Sequence, residues 1–286
     1  MIASPATASV ITILNLKGGV GKTHATWLLA ALCQERQRRL LAFDADTQAN
    51  LTSSFLAQAD GRPAIDALFD PAAEQAPNSI IRTTPFSQID LVPGGMALAR
   101  FDDSDQSRWE EVDLHMTLVD TVARLRANYD YIVFDCPPRL SLVSFAALCA
   151  SDFVIIPMEA ADWGAQGIVQ VTAAIDYVQA RYNPRLRLLG YLVSRFRRAR
   201  KYQQNYLRQL RAHFGDLAFD TVIPDLAKFE QSVTDRIPIT LHSPRSRAAD
   251  IARQFFAEVE RRTQGFGRVR RQRRRRRVPP AALTAA

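Results

Sequence analysis

The chain has 286 residues, 47% of them hydrophobic and 23% charged, enough to bury a large core in one α/β domain or two smaller ones. No run of eighteen apolar residues occurs, which excludes a membrane-spanning helix, and the first nine residues lack the basic start and apolar stretch of a secretory signal. The net charge of +8 sits in one place: residues 268–277 hold eight arginines, and removing these from the 37 basic residues leaves 29, equal to the 29 acids.

Val10 to Leu14 read as a short apolar strand, broken by Gly18, Gly19 and Gly21. A phosphate-binding loop of the form Gly-x4-Gly-Lys-Ser/Thr needs its first glycine at position 16, where Leu16 stands, and a second lysine, Lys17, follows. Backbone amides can all turn inward only where side chains are absent, and so cradle phosphate oxygens. Lys22 would reach the β- and γ-phosphates, Thr23 would offer its hydroxyl to Mg2+, and the next helix would aim its positive end at the anion. The alternative is a plain glycine-rich turn, which two lysines bracketing three glycines argue against.

From Lys22 to about Arg38, Ala25, Leu28, Leu29 and Leu32 fall at helical spacing. Leu40–Phe43 is a second apolar strand, ending in Asp44 and Asp46, where α/β folds bind ligands; Asp46 could equally cap a helix. Residues 57–88, rich in Ala, Pro and polar residues, are less readable: Ala64–Phe69 reads as a short helix, Ile80–Ile81 with Ile89–Val92 as short strands, and Pro93-Gly94-Gly95 as a turn. An exposed loop is expected over 101–109 and a helix over Glu110–Asn128. Tyr131–Asp135 is an apolar strand whose terminal carboxylate fits a Walker B position, holding Mg2+ through a water. A helix at Ser141–Ala150, strand at Phe153–Pro157, helix at Ala165–Ala180, strand at Leu186–Val193 and last strand at Phe219–Ile223 complete an alternation that predicts a parallel sheet covered on both faces.

Between Ser194 and Gly215 the charges are all positive. Arg195, Arg197, Arg198, Arg200 and Lys201 begin this stretch, which is either a solvated helix face or a phosphate-tracking surface. Tyr202, Tyr206, Leu210 and Phe214 recur every four residues and read as core packing. Ala248–Arg262 is a final amphipathic helix, after Arg245 and Arg247. The arginine run, with Arg273, Arg274 and Arg275 at its centre, is expected to be a disordered arm whose best use is counterion release from nucleic acid. Cys33, Cys136 and Cys149 fit buried thiols in a reducing cytoplasm, with no metal-ligand spacing.

Lys17-Gly18-Gly19-Val20-Gly21-Lys22-Thr23 resembles the deviant Walker A loop of the ParA/MinD ATPases, in which the extra lysine is a defining feature. Asp44-Ala45-Asp46-Thr47-Gln48-Ala49-Asn50 is similar to that family's Asp-x-Asp-Pro-Gln-x-Asn, with Thr47 in place of the usual proline. Tyr129–Ile132 and Asp135-Cys136-Pro137-Pro138 match its Walker B segment. The resemblance covers about residues 8–262. It implies a three-layer, mostly parallel α/β sheet with helices on both faces, in a single ATPase domain over 1–262 with a tail over 263–286. It also implies ATP and Mg2+ as cofactors and a slow, partner-stimulated hydrolysis. Lys17, Lys22 and Asp46 would be catalytic, Asp46 by orienting the attacking water and Lys17 by reaching the phosphates of a partner subunit. Lys17, Gly18, Gly19, Val20, Gly21, Lys22, Thr23, His24 and Pro224 would bind nucleotide, with Thr23 and Asp135 at the metal.

In the ParA-type reading, an ATP-sandwich homodimer binds DNA irrespective of sequence, through the basic residues above. A ParB-like centromere-binding protein releases it, in a cytoplasmic, nucleoid-associated cycle of plasmid or chromosome segregation. The chain starts almost at its first strand, so an amino-terminal helix-turn-helix domain is not expected. A MinD-like or conjugation-accessory positioning ATPase is the alternative; the arginine run lacks the apolar face a membrane helix needs, so no membrane partner is expected. A reductase of the nitrogenase iron-protein type needs bridging cysteines, which Cys136, directly after Asp135, does not suit.

Overall fold

The computed structural model describes residues 8–57, 60–62, 64–70, 77–101, 113–160 and 165–276, with side chains left out at 77, 165–167 and 265–276. Seven strands form one sheet: β1 (Ser9–Ile13), β2 (Leu40–Asp44), β3 (Arg82–Thr83), β4 (Ile89–Val92), β5 (Tyr131–Asp135), β6 (Phe153–Glu159) and β7 (Arg187–Ser194). Their order is β3-β4-β2-β5-β1-β6-β7, and every pairing is parallel except β3 with β4.

The central strands are buried on both faces, which is why β2 and β5 read as unbroken apolar runs. Side chains still alternate along each strand. Val10, Phe43, Phe134 and Val154 face one core, packed under α3 (Thr117–Leu125), α4 (Leu142–Ala150), α5 (Ala165–Arg181) and α6 (Lys201–Phe214). Ile11, Ile13, Ala42, Val133 and Ile155 face the other, under α1 (Lys22–Glu35) and α9 (Arg247–Arg276), with Phe255, Phe256 and Val259 of α9 fully buried there. The short helices α2 (Asn50–Phe55), α7 (Ala227–Thr234) and α8 (Ile239–His242) close the edge near α1. The expected three-layer, mostly parallel fold is what the chain adopts.

Four boundaries differ from the sequence expectation. The strand expected at Ile80–Ile81 forms instead at Arg82–Thr83. Of the helix expected over Glu110–Asn128, the described part is a 3-10 turn at Leu114–Met116, a regular helix at Thr117–Leu125 and a second 3-10 turn at Arg126–Asn128; residues 102–112, with most of the predicted loop and the expected helix start, lie outside the described residues. Phe219–Ile223 is not a regular strand. Phe219 and Ile223 donate to the Tyr191 and Val193 carbonyls of β7 at 2.9 Å, but between them the Asp220 and Thr221 amides turn to the buried Glu258 carboxylate at 2.8 Å. A side-chain acceptor from α9 thus interrupts the ladder. Lastly, the α9 backbone stays helical to Arg276, past the expected end at Arg262.

The aromatic face of α6 packs inward as its spacing predicts: Tyr206 and Leu210 are buried and Phe214 lies 4.2 Å from the Tyr191 ring. Tyr202, 51% exposed, is the exception and carries Arg200 over its ring. No described helix is long and apolar enough to cross a membrane.

Candidate active site

Three sheet ends converge on the turn between β1 and α1. Asn15, buried at the end of β1, donates to the Pro157 carbonyl of β6 at 2.7 Å and accepts the Lys17 amide at 3.0 Å, which fixes the chain as it enters the turn. Gly19 and Gly21 then take left-handed φ of 76° and 85°, open to glycine at no steric cost. A Cβ on Gly21 would also stand 3.2 Å from Ser194 Oγ. The turn is clasped from β7 by Ser194, whose hydroxyl donates to the Val20 carbonyl, and by Arg195, whose Nη1 donates to the Gly19 carbonyl at 3.3 Å. Arg195 Nη1 also lies 3.6 Å from Glu159 Oε1.

The two lysines of the turn are placed oppositely. Lys22 opens α1, is buried, and its ammonium donates back to the Lys17 carbonyl at 3.0 Å, spanning the loop from inside. Burial draws its pKa below the ordinary 10.5, while Asp135, Cys136 and Asp46 oppose the change. Lys17 is exposed on the outside of the turn and is not among the residues that line the cleft.

Beneath the loop lie two buried carboxylates, Asp44 and Asp135, opposite each other where β2 pairs with β5. Burial pushes Asp44 up to about 6, against the pull of three donors: Thr52 N and Oγ1, each 2.7 Å from Oδ2, and Asp46 N, 3.2 Å from Oδ1. Burial raises Asp135 well above the carboxylate range, with the Asp44 charge adding to it; the Thr23 hydroxyl and Lys22 pull the other way. Asp135 Oδ1 is buried and has no hydrogen-bond partner among the described residues. A buried, unsatisfied carboxylate oxygen beside a threonine hydroxyl costs free energy unless a cation or its water is held there. The donor set therefore fits a hard divalent ion carried on phosphate oxygens. No cluster of three His, Cys, Asp or Glu that could hold a metal alone occurs among the described residues.

A cleft of about 700 Å³ opens from this point, within the roughly 300–1,000 Å³ of small-molecule sites. Gly18, Gly19, Gly21, Lys22 and Thr23 line one end, Asp46 and Arg139 the side, and Pro224, Leu226 and Phe229 the far end. His24 lies edge-on to Phe229 at 4.8 Å; burial pulls its imidazole down to about 4, so it is neutral at physiological pH, and its buried Nε2 has no partner among the described residues. Val20 is buried and does not line the cleft.

The basic residues separate into groups. Arg195, expected with the basic stretch, instead belongs to the cleft wall, against the Gly19 turn. Arg197 is held by Asp225 at 2.6 Å, while Arg198, Arg200, Lys201, Arg245 and Arg247 are exposed. Arg273, Arg274 and Arg275 fall on the α9 backbone, and their side chains are outside the description. Sequence reasoning missed Asn15, Thr52, Glu159 and Arg139. Only Arg139 carried a local signal, standing directly after Asp135-Cys136-Pro137-Pro138.

The family model described as an AAA domain matches residues 8–188. The sporulation initiation inhibitor protein Soj of Bacillus subtilis is 31% identical over 252 residues, 87% of this chain and 97% of that protein. The apo McdA of Cyanothece superposes with a TM-score of 0.77 at 20% identity, covering 90% of this chain and 99% of that one. A cobyrinic acid a,c-diamide synthase of Mycobacterium smegmatis, solved with an ATP analogue and magnesium, has a TM-score of 0.68 at 25% identity, over 79% of this chain and 93% of the other.

Proposed function

The chain belongs to the ParA/MinD family of nucleotide-hydrolysing P-loop ATPases, close to ParA and Soj, and on that premise we propose that it is a DNA-partitioning ATPase switched by ATP-dependent dimerisation. The observation that carries the reading is the opposite placement of the two loop lysines, Lys22 buried within its own site and Lys17 exposed outside it.

ATP and Mg2+ suit the cleft, with Thr23 and, through a water, Asp135 holding the metal. When bound, Mg2+ neutralises charge on the transferring phosphoryl group. Lys22 and the Gly18–Gly21 amides bind the phosphates, and Pro224 with Phe229 flanks the base. Asp46 orients the attacking water. Lys17 neutralises charge on the phosphates of the partner subunit's nucleotide. Phosphoryl transfer needs chiefly positioning and charge stabilisation, so a lysine that arrives only on dimerisation couples hydrolysis to assembly. The exposed Arg198, Arg200, Lys201, Arg245 and Arg247, with the arginine tail, then track DNA phosphates irrespective of sequence. A ParB-like protein stimulates slow hydrolysis and so releases the protein from the nucleoid DNA.

Co-sedimentation with non-specific DNA tests this, using ADP, ATP, and ATP with Lys17→Ala. DNA should retain the protein with ATP only, and Lys17→Ala should abolish that retention. Equal retention in all three refutes the switch. Retention by anionic liposomes and not by DNA would select a positioning ATPase instead.

A further inference from the structure

Two loops at the carboxyl end of the sheet are joined by a polar relay that the reading above does not use. Arg139, half-buried in the loop between β5 and α4, donates from Nη2 to Thr47 Oγ1 at 3.1 Å, across 92 residues of sequence. Thr47 is buried, and its hydroxyl reaches Asp46 Oδ1 at 3.4 Å. A hydroxyl has one proton, and a guanidinium can only donate. Arg139 thereby makes Thr47 Oγ1 an acceptor on that side and leaves its proton to be donated to the carboxylate.

The same oxygen, Asp46 Oδ1, accepts the Gln48 amide at 3.0 Å. Among the described residues no hydrogen bond reaches Oδ2, and Asp46 lines the cleft. One carboxylate oxygen is held twice while the other is left for a ligand. That asymmetry is what a water-orienting carboxylate requires.

The arginine is anchored at its base. Its carbonyl accepts the Ser144 hydroxyl at 3.1 Å, and Ser144 also caps α4 through the Ser141 amide at 2.8 Å. Both ends of the relay are pinned to the sheet, since Ala45 N donates to the Asp135 carbonyl at 2.9 Å and Cys136 N to the Ile13 carbonyl at 3.2 Å. The relay links rigid points, so it can fix an angle and not merely a contact.

We propose that Arg139 is a positioning residue for hydrolysis, acting through the Thr47 hydroxyl to hold Asp46 with Oδ2 toward the attacking water. This rests on the ATPase reading in which Asp46 orients that water. A proline at position 47 would carry no hydroxyl, so the pair Thr47–Arg139 is a device of this chain.

The test measures steady-state ATPase activity of the full chain, with affinity for a fluorescent ATP analogue and thermal midpoint alongside. Thr47→Val and Arg139→Gln should each lower kcat about tenfold, with KM and analogue affinity within about twofold of wild type. Thr47→Ser should restore most of the loss seen in Thr47→Val. The double variant should be no slower than either single one, because both break one relay. Wild-type kcat in Thr47→Val, multiplicative losses in the double variant, or losses that track a fallen thermal midpoint would each overturn the proposal. Asp46→Ala separates the two levels. If it abolishes turnover while Thr47→Val does not, only the relay fails; if it leaves turnover intact, the water-orienting role of Asp46 fails as well.

Discussion

Replacing Asp44 with asparagine should stabilise the nucleotide-free protein at neutral pH. Asp44 is fully buried, and its carboxyl is pushed up from 3.8 to about 6 chiefly by burial. The folded chain thus holds this proton more tightly than the unfolded chain, so stability falls as pH rises from the unfolded value through the folded one. The displacement corresponds to about 3 kcal/mol, fully lost above pH 6. Asparagine resembles the protonated acid in shape and keeps an oxygen for the Thr52 amide and hydroxyl, but its Nδ2 cannot accept the Asp46 amide, a pH-independent loss of about 1 kcal/mol that should leave the variant slightly the less stable near pH 4. Removing the Asp44 charge also eases Asp135, which adds to the gain. Urea unfolding in steps from pH 4 to 8, followed by intrinsic fluorescence with Trp27 as a buried reporter, gives the difference between variant and wild type. That difference should open by about 3 kcal/mol between pH 4 and pH 7 in favour of the asparagine. A difference independent of pH would refute the claim that the site stores an ionised, poorly solvated carboxylate.

Gly94→Ala should destabilise by about 2 kcal/mol in thermal melts, because its Cβ would lie 2.5 Å from the Asp44 carbonyl and 2.8 Å from that of Asp46, both backbone atoms. A melt unchanged from wild type would mean that the turn can move away from β2. Deleting 266–286 should weaken DNA binding and flatten the dependence of log K on log salt by up to about 7, given roughly 0.9 per neutralised phosphate and the eight arginines removed. An unchanged slope measured by salt titration would take the tail out of the interface.

Why the fold was so readable follows from where its signals lie. The apolar runs of β2 and β5, the glycines at 19 and 21, Asp135 at the end of β5 and Asp46 just past the end of β2 are each encoded within a few adjacent residues. Backbone freedom at a glycine and burial of a strand on both faces are local or nearly local properties. One expected strand failed because a distant group competes for its backbone. Glu258 captures two amides of the expected last strand, an effect invisible in the apolar pattern of Phe219–Ile223.

The sequence by itself determined the loop, the acids that accompany it, the alternation of strands and helices, and the concentration of positive charge in the last third of the chain. Only the tertiary structure decided which of these groups meet. It set Asp44 against Asp135 across a strand pair, turned Lys22 inward and left Lys17 outside, closed Ser194 over Val20, and carried Arg139 to Thr47. Strand order and register fix those meetings, and neither is set by the residues that meet. The chemistry of each group is a property of its own position; the electrostatic cost and the use of that chemistry belong to neighbours that the fold alone supplies.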